Sequence, residues 1–179
     1  MRATIVNKAP ADWLKDLGEP AGKVAEILMS FDKSAALNVY TYRAAHTFLR
    51  FHSPRSRCRI YDPNYWADGS AVGSAFGRAG QFDGWLSDGE IGRIAKNHYR
   101  DIAAICHNWN PLEDSTLWKI ELRGAETVEG LEGPAAPQPT FSAAHGSPAS
   151  ASMLRGGATQ VYLNPRTPFI CTPISWSSL

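Results

Sequence analysis

The feature that most constrains this chain is a glycine pair followed by a short β-prone run, GGATQVYLNP, at residues 156–165. Glycine lets the backbone turn sharply or pass close to a ligand. The following residues favour a strand, and Asn-Pro ends it. Gln160 is therefore expected at the start of a strand, just after a tight turn. That position suits a polar site residue on a rigid element beside a loop. The same pattern also fits the alternative interpretation, a glycine turn that leads into an ordinary strand without a functional role.

The composition predicts one domain, or one domain with an appendage. The chain has 179 residues, of which 44% are hydrophobic, which is enough to bury a core. The formal net charge is +1, so no overall charge favours nucleic acid or a membrane surface. No long apolar run predicts a membrane span, and the N-terminus lacks the apolar core of a signal peptide.

The cysteines and histidines predict no metal site. Cys58, Cys106 and Cys171 are widely spaced and contain no Cys-x-x-Cys pair. We interpret them as reduced structural residues rather than a disulfide framework or zinc ligands. His98 and His107 are too far apart to share one helical turn.

Apolar spacing predicts an N-terminal helical segment at residues 1–36, followed by the main domain at residues 37–179. A short helix is expected at Ala11–Leu17, and a clearer one begins at Pro20. Apolar side chains recur there at intervals of three and four residues, at Val24, Ile27, Leu28 and Phe31.

The region after this segment predicts a strand and then loops. Leu37–Ala44 is rich in β-branched and aromatic residues and has Arg43 near its end. Residues 50–59 carry four arginines between prolines, which predicts a loop with at most short strands. The arginines are either a solvated surface or a contact for phosphate or RNA. Five glycines between residues 69 and 84 predict a long loop.

One main helix is predicted from Ser87 to about Asn108. Ser87 and Glu90 have the spacing of a capping box, and apolar residues follow on one face. His98 lies on that face and is interpreted as a core histidine rather than a catalyst.

The C-terminal half predicts further strands. Thr116–Arg123 alternates apolar and charged residues, and Ala125–Glu129 is expected to pair with it. Residues 133–139 are proline-rich and are not expected to continue a sheet. Ser142–Ser152 is expected to be disordered or a moving loop when no ligand is bound. Phe169–Ser175 predicts a last, edge strand. The fold class is therefore α+β, with a small split or sandwich-like sheet, one main inserted helix and an N-terminal helical segment.

The order of four motifs resembles the ADP-ribosyltransferase superfamily. Tyr42-Arg43 ends a first strand, and Gly84-Trp85-Leu86-Ser87 leads into a helix. Gly-x-Ala-Ala-Pro-Gln at residues 133–138 follows a Trp-Lys-Ile strand, and Gly-Gly-x-x-Gln-Val-Tyr at residues 156–162 completes the set. The chain looks like toxin domains at the C-termini of bacterial secreted and polymorphic effectors. More distantly it is similar to the tuberculosis necrotizing toxin type of NAD glycohydrolase.

The resemblance implies a binding site for NAD+, which is the substrate, and no metal. Arg43 would hold the diphosphate, for which a guanidinium fork is suited. Ser87 would contact the ribose or only cap the helix. Gln160 would orient the ribose, and Arg43 and Gln160 would be the catalytic pair that faces one cleft. The remaining cofactor-binding residues would be Tyr42, Gly84 and the aromatic side chains Trp85 and Phe82, either of which would stack on nicotinamide.

The strand of Gln160 departs from the family pattern. Many transferases carry Glu or Gln, then any residue, then Glu, whereas the positions beside Gln160 hold Ala158 and Tyr162. A neutral amide can hold a ribose hydroxyl, but it cannot accept a proton or balance a full positive charge. This difference favours hydrolysis, or an acceptor that is already nucleophilic.

The resemblance predicts an NAD+-consuming toxin that transfers ADP-ribose to a protein or nucleic acid. The second hypothesis is an NAD+ glycohydrolase that releases free ADP-ribose, and the third is a non-catalytic module that binds RNA or protein. As an effector, the chain would be delivered by a secretion system, act in the cytoplasm of a target cell and be opposed by an immunity protein.

Overall fold

The structure is a computed structural model, and it describes residues 5–43, 46–51, 60–61, 97–98, 100–106, 117–122, 127–140, 152–163 and 169–174. Phe82, Gly84, Trp85 and Ser87 lie outside these ranges, so their predicted roles stay predictions. The same holds for the start of the predicted main helix and most of the predicted loops.

An eight-stranded sheet is the frame of the described part. Its strands are β1 (Ile5–Val6), β2 (Asn38–Arg43), β3 (Thr47–Phe51), β4 (Ile60–Tyr61), β5 (Leu117–Leu122), β6 (Thr127–Pro134), β9 (Thr159–Leu163) and β10 (Phe169–Ile174). Their order in the sheet is β1-β2-β6-β9-β4-β3-β5-β10, and each described pair is antiparallel. A second sheet pairs β7 (Gln138–Pro139) with β8 (Met153–Leu154).

Two helices cover one face of the large sheet. The first, α1 (Pro10–Asp16), has proline at its first position, and the second, α2 (Ala21–Met29), follows Pro20. Proline suits a helix start because its fixed φ is already helical and no N–H is lost from the helix. Side chains of both helices form a core with the sheet residues Val39, Leu131 and Tyr162. We call this side of the sheet the helix face.

Hydrogen bonds join the N-terminal helices to the sheet at the rim of this core. Trp13 Nε1 donates to Glu129 Oε2 at 2.7 Å, and Tyr162 Oη donates to Glu19 Oε1 at 2.8 Å. The predicted boundary after residue 36 stays a prediction, but residues from both sides of it share one core.

The opposite side of the sheet, which we call the second face, has a core of its own. Its buried members are Tyr42, Phe48, Ile120, Val161 and Leu163. Since successive side chains of a strand point to opposite faces, Val161 lies on the second face while Gln160 and Tyr162 lie on the helix face. The central strands of the large sheet are therefore buried on both sides.

The mixed α+β class with mostly antiparallel strands and few helices is confirmed. The predicted strands near residues 37–44, 116–123, 159–163 and 169–175 are present, and β10 is an edge strand as expected. Both N-terminal helices are present within three residues of the predicted bounds.

Residues 47–51 form β3, which includes only Arg50 and Phe51 of the basic stretch, so the prediction of a loop with at most short strands is not contradicted. Two local predictions are wrong. The strand predicted at Ala125–Glu129 runs instead over Thr127–Pro134, and it pairs with β2 and β9 rather than with β5. Burial on both faces stabilises this longer strand, and it continues into the proline-rich stretch that was predicted to end the sheet.

The predicted main helix ends earlier than expected. Residues 97–98 and 100–102 are helical, and Ala104 has a φ of 51°, in the left-handed region. The amide of Ile105 donates to the carbonyl of Arg100 at 3.0 Å, and the amide of Ala104 donates to the carbonyl of Asp101 at 3.4 Å. These two bonds are those of a Schellman cap, which ends the helix before Asn108.

Among the described residues, no helix has the length and hydropathy needed to cross a membrane.

Gly130 of β6 is expected to tolerate no larger side chain. A Cβ there would lie 2.6 Å from Leu163 Cδ2, 2.8 Å from Val161 Cγ1 and 3.0 Å from Tyr42 Cε2. Gly130→Ala should lower the free energy of unfolding by about 1–3 kcal/mol through overpacking. The control is Gly22→Ala in α2, where nothing lies within 4 Å and alanine favours the helix. Urea denaturation checks both, and equal stabilities would contradict the described packing.

Candidate functional site

Gln160 is held inside the protein rather than at a cleft. Its side chain is 1% exposed on the helix face. Its Nε2 donates to Ser30 Oγ at 2.9 Å, and that hydroxyl donates to the carbonyl of Ile27 at 2.6 Å. Ser30 is the C-cap residue of α2, so the amide joins β9 to the end of a helix. This chain of bonds fixes the orientation of the amide.

The glycine pair before β9 forms a sharp turn, as the sequence predicts. Gly156 and Gly157 have φ values of 72° and 92°, which favour glycine. The group that lies close to Gly156 is the protein's own backbone, since a Cβ on this residue would collide with the carbonyl oxygen of Ala135. The amides of Gly156 and Ala158 donate to the carbonyls of Asp101 and Ile102, both at 2.9 Å. The turn therefore docks β9 onto the end of the helix that terminates at Ile102.

Arg43 and Gln160 do not face each other across one cleft, so that expectation is wrong. Arg43 pairs with Thr127 on β6, whereas Gln160 pairs with Gly133, six positions further along the same strand. Six residues of strand span about 20 Å. The helix-face core, with Leu131 at 0% exposure, lies between them. Arg43 is exposed at the end of β2.

Tyr42 is a buried residue of the second face, at 2% exposure. Its hydroxyl donates to Glu132 Oε2 at 2.6 Å. The ring passes over Gly130, whose missing Cβ leaves the room for it. Tyr42 also packs against His46, at 4.9 Å between ring centroids, and edge-on against Phe48, at 5.1 Å. The predicted contact of Tyr42 with a cofactor stays a prediction.

Two strands of the second face each carry a buried arginine or glutamate that the sequence analysis did not assign to the NAD+ site. Arg50 of β3 and Glu132 of β6 are each 7% exposed. Arginine and glutamate are rarely buried to this extent unless they have partners. Both have interactions within the protein.

Arg50 and Glu132 lie in one row across the sheet. Glu132 pairs with Val161, and Val161 pairs with Ile60. Because Leu49 pairs with Tyr61 in an antiparallel register, the next position places Arg50 opposite Ile60. The row Glu132–Val161–Ile60–Arg50 therefore crosses four neighbouring strands. Three strand spacings separate the two charged residues by about 14 Å between Cα atoms.

The signal for these two residues was weak in the sequence. Arg50 begins the basic stretch for which the sequence predicts a loop with at most short strands. Glu132 directly precedes residues 133–139, which are proline-rich and are not expected to continue a sheet. Neither local pattern alternates, since Phe48 and Leu49 are both apolar and glycines flank Leu131-Glu132. The face on which each residue lies therefore follows from the strand pairing rather than from the local sequence.

His98 is half-buried on the helix that terminates at Ile102, rather than fully in a core. Among the described residues, its buried Nε2 has no hydrogen-bond partner. Burial lowers the pKa of His98, and the nearby Arg155 cation lowers it further, while Asp101 opposes this. Arg155 also forms an ion pair with Asp101.

The described residues contain no group of three or more histidine, cysteine, aspartate or glutamate side chains arranged to hold a metal ion. Comparisons of the chain with protein-family models, curated proteins and solved structures found no match.

Ser30 is expected to stabilise the fold through Gln160. Ser30→Ala removes the acceptor of the buried Gln160 amide, and an unsatisfied buried donor costs about 1–3 kcal/mol. Ser34→Ala is the control, because Ser34 is exposed and its hydroxyl bonds only the nearby Asp32. Its expected effect is within about 0.5 kcal/mol. Chemical denaturation of both variants measures the difference, and an unchanged Ser30→Ala protein would contradict the Ser30–Gln160 bond.

His98 is expected to make stability depend on pH. Its pKa is lowered in the folded state, so below about pH 6.5 the unfolded chain binds a proton that the folded chain does not. The stabilisation is complete above that pH and is lost as the pH falls. The unfolding free energy of wild type should therefore decrease more between pH 7.5 and pH 5 than that of His98→Gln. Equal decreases in urea titrations would show that His98 is not responsible.

Proposed function

We propose that this chain is an NAD+-consuming enzyme of the ADP-ribosyltransferase type, which cleaves the bond between nicotinamide and ribose and transfers ADP-ribose to a protein or nucleic acid. The motif order and the Gly-Gly-x-x-Gln-Val-Tyr run support the class. The observation that carries the proposal is the row of the second face that holds a buried guanidinium and a buried carboxyl group, Arg50 and Glu132.

Under this proposal Arg50, rather than Arg43, holds the diphosphate. Its strand lies inside the sheet between β4 and β5, and the side chain is nearly enclosed. A guanidinium held in such surroundings acts on an anion in a low dielectric, where its attraction is stronger than at the surface. Arg43 lies at the exposed end of its strand, where solvent and salt weaken the same attraction.

Aromatic side chains adjoin this row. Tyr42, His46 and Phe48 pack together with centroid distances between 4.7 and 5.1 Å, and Tyr40 and Trp118 are partly buried at the margin of the same core. Flat, partly exposed rings beside polar groups suit a ligand that contains planar bases. We propose that Tyr40 and Trp118 offer ring surface to the nucleotide.

The hydrolytic alternative is favoured by the state of Gln160. Its amide is buried and donates to Ser30, so it is not placed to activate a bulky acceptor. Water needs less room and less activation once the sugar carries positive charge. In this alternative the chain is an NAD+ glycohydrolase toxin, and Gln160 acts by holding β9 in position.

The biological setting follows the proposed class. A toxin of this type would act in the cytoplasm of a target cell, reach it through a secretion system and be neutralised in the producing cell by an immunity protein. The macromolecular acceptor defines the transferase, and its absence defines the glycohydrolase.

Incubation of the purified chain with labelled NAD+ tests the proposal. Nicotinamide release is expected, with label on a macromolecule of an added lysate for a transferase, or as free ADP-ribose for a glycohydrolase. Arg50→Lys keeps the charge but loses the bidentate fork, so KM for NAD+ should rise about 10-fold or more. Arg43→Ala is the matched control and should keep KM within about 3-fold.

Two results would contradict this assignment. No nicotinamide release by wild type would remove the enzymatic proposal and leave the binding module. Loss of activity in Arg43→Ala together with full activity in Arg50→Lys would return the diphosphate site to the end of β2. A thermal melt of each variant shows whether the fold is intact.

A further inference from the structure

The last strand, β10, lies at an open edge of the large sheet. In the described part of the chain it pairs with β5 on one side, and it ends the strand order. Ile170 is 48% exposed, and Thr172 and Pro173 are exposed beside it. An open edge presents N–H and C=O groups that can pair with a strand of another chain.

This edge lacks most of the protection that sheet edges usually have. Natural edge strands avoid pairing with other chains through short length, charged side chains or proline. At the opposite edge, β1 has only 2 residues, whereas β10 has 6 residues and no charged side chain. Pro173 is the one protective residue within β10.

Pro173 also shows which backbone groups of β10 face outward. A proline within a sheet lies where its nitrogen points away from the ladder, because it has no N–H to donate. The direction of the backbone groups alternates along an antiparallel strand, so Phe169 and Cys171 point theirs outward as well. The outer edge therefore offers N–H donors at Phe169 and Cys171, and C=O acceptors at these two residues and at Pro173.

A second copy of β10 that runs antiparallel would satisfy these groups. With Cys171 opposite Cys171 of the second copy, the two residues exchange both backbone hydrogen bonds. Phe169 then donates to the carbonyl of Pro173 of the second copy, and two-fold symmetry repeats this bond. The missing N–H of Pro173 leaves only the Phe169 carbonyl to water.

The charges of β5 favour this register. Glu121 pairs with Ile170, and Lys119 pairs with Thr172. The register centred on Cys171 places Ile170 opposite Thr172 of the second copy, so each Glu121 shares a row with Lys119 of the other copy. A register that places Ile170 opposite itself aligns Glu121 with Glu121 instead. Three strand spacings separate these charges by about 14 Å, so they contribute little affinity but discriminate between registers.

The second copy also covers apolar surface. Cys171 and Trp118 are partly buried at the margin of the second-face core. Because Cys171 faces its own copy in this register, the margins of the two cores adjoin, and each shields the other from water.

We infer that β10 is a homodimerisation edge, at which two copies of this chain pair antiparallel about Cys171 and join their large sheets. One pair of edge strands is a small interface, so a reversible dimer with a Kd in the micromolar range is expected. The inference does not depend on NAD+ cleavage.

Analytical ultracentrifugation of the purified chain, from low micromolar to millimolar concentration, tests the inference. Wild type should dimerise. Ile170→Lys adds a charge to the exposed edge, and the symmetric interface carries the change twice, so Kd should rise about 10-fold or more. Met29→Lys is the matched control, since Met29 is 58% exposed on α2 rather than at the edge, and Kd should stay within about 3-fold.

Cys171 supplies a second measurement. The Cα atoms of a hydrogen-bonded antiparallel pair lie about 5.5 Å apart, within the range that a disulfide spans. Mild oxidation or a short thiol-reactive linker should therefore give a covalent dimer on a non-reducing gel. Cys171→Ser should remove this product although Cys58 and Cys106 remain, and Ile170→Lys should reduce it.

Thermal melts show which variants fold. Should Ile170→Lys fail to fold, Thr172→Glu replaces it, because Thr172 is exposed and its neighbour Lys119 attracts a carboxylate within one copy. In the dimer the two new carboxylates lie diagonally across the edge and repel each other, so Kd should again rise about 10-fold.

Two results overturn the inference. A wild type that stays monomeric at millimolar concentration and forms no link through Cys171 leaves the edge to a strand of another protein. A dimer with unchanged Kd in the folded edge variant, and no link through Cys171, has its interface elsewhere on the chain.

Discussion

The pairing of β6 with both β2 and β9 is the constraint on which the rest of the structure depends. Leu131 of β6 is completely buried among the helix side chains, and Glu132, the next residue, emerges on the other side. A shift of one residue in this register would exchange the two, placing a carboxyl group against α1 and a leucine beside Tyr42. Because the register must bury Leu131 on the helix face, it also fixes where the polar side chains of the second face lie.

This arrangement divides the polar residues between two tasks. On the helix face, Gln160 and Ser30 hold β9 to the end of α2, and the bond satisfies a buried amide. On the second face, Arg50 and Glu132 are buried as ionisable groups, which costs free energy that a purely structural pair seldom recovers. Groups retained at such a cost are candidates for binding and chemistry. The site that we propose lies on this second face.

Much of the fold could be predicted from the sequence where local patterns and tertiary packing agree. The prolines at the starts of α1 and α2, the β-branched run of β2 and the glycine turn before β9 each specify local structure. The route of β6 could not be predicted, because Gly130, Gly133 and Pro134 weaken its strand pattern, and its partners are distant in sequence. Tertiary burial on both faces overrides that weak propensity.

The site was harder to predict than the fold for a related reason. Gln160 has the position that a motif assigns to it, but the face on which its side chain lies depends on the helices that cover the strand. Arg50 and Glu132 are far apart in sequence and come into one row only through the two strands between them, β4 and β9. No local spacing encodes that relation, so it requires the strand order.

A crystal structure of the protein with a non-cleavable NAD+ analogue bound is the most direct test of the central claim. The account predicts the dinucleotide on the second face, with its diphosphate at Arg50. The Gln160–Ser30 bond should be unchanged beneath the sheet. A dinucleotide bound on the helix face, in contact with Gln160 or Arg43, would contradict the account.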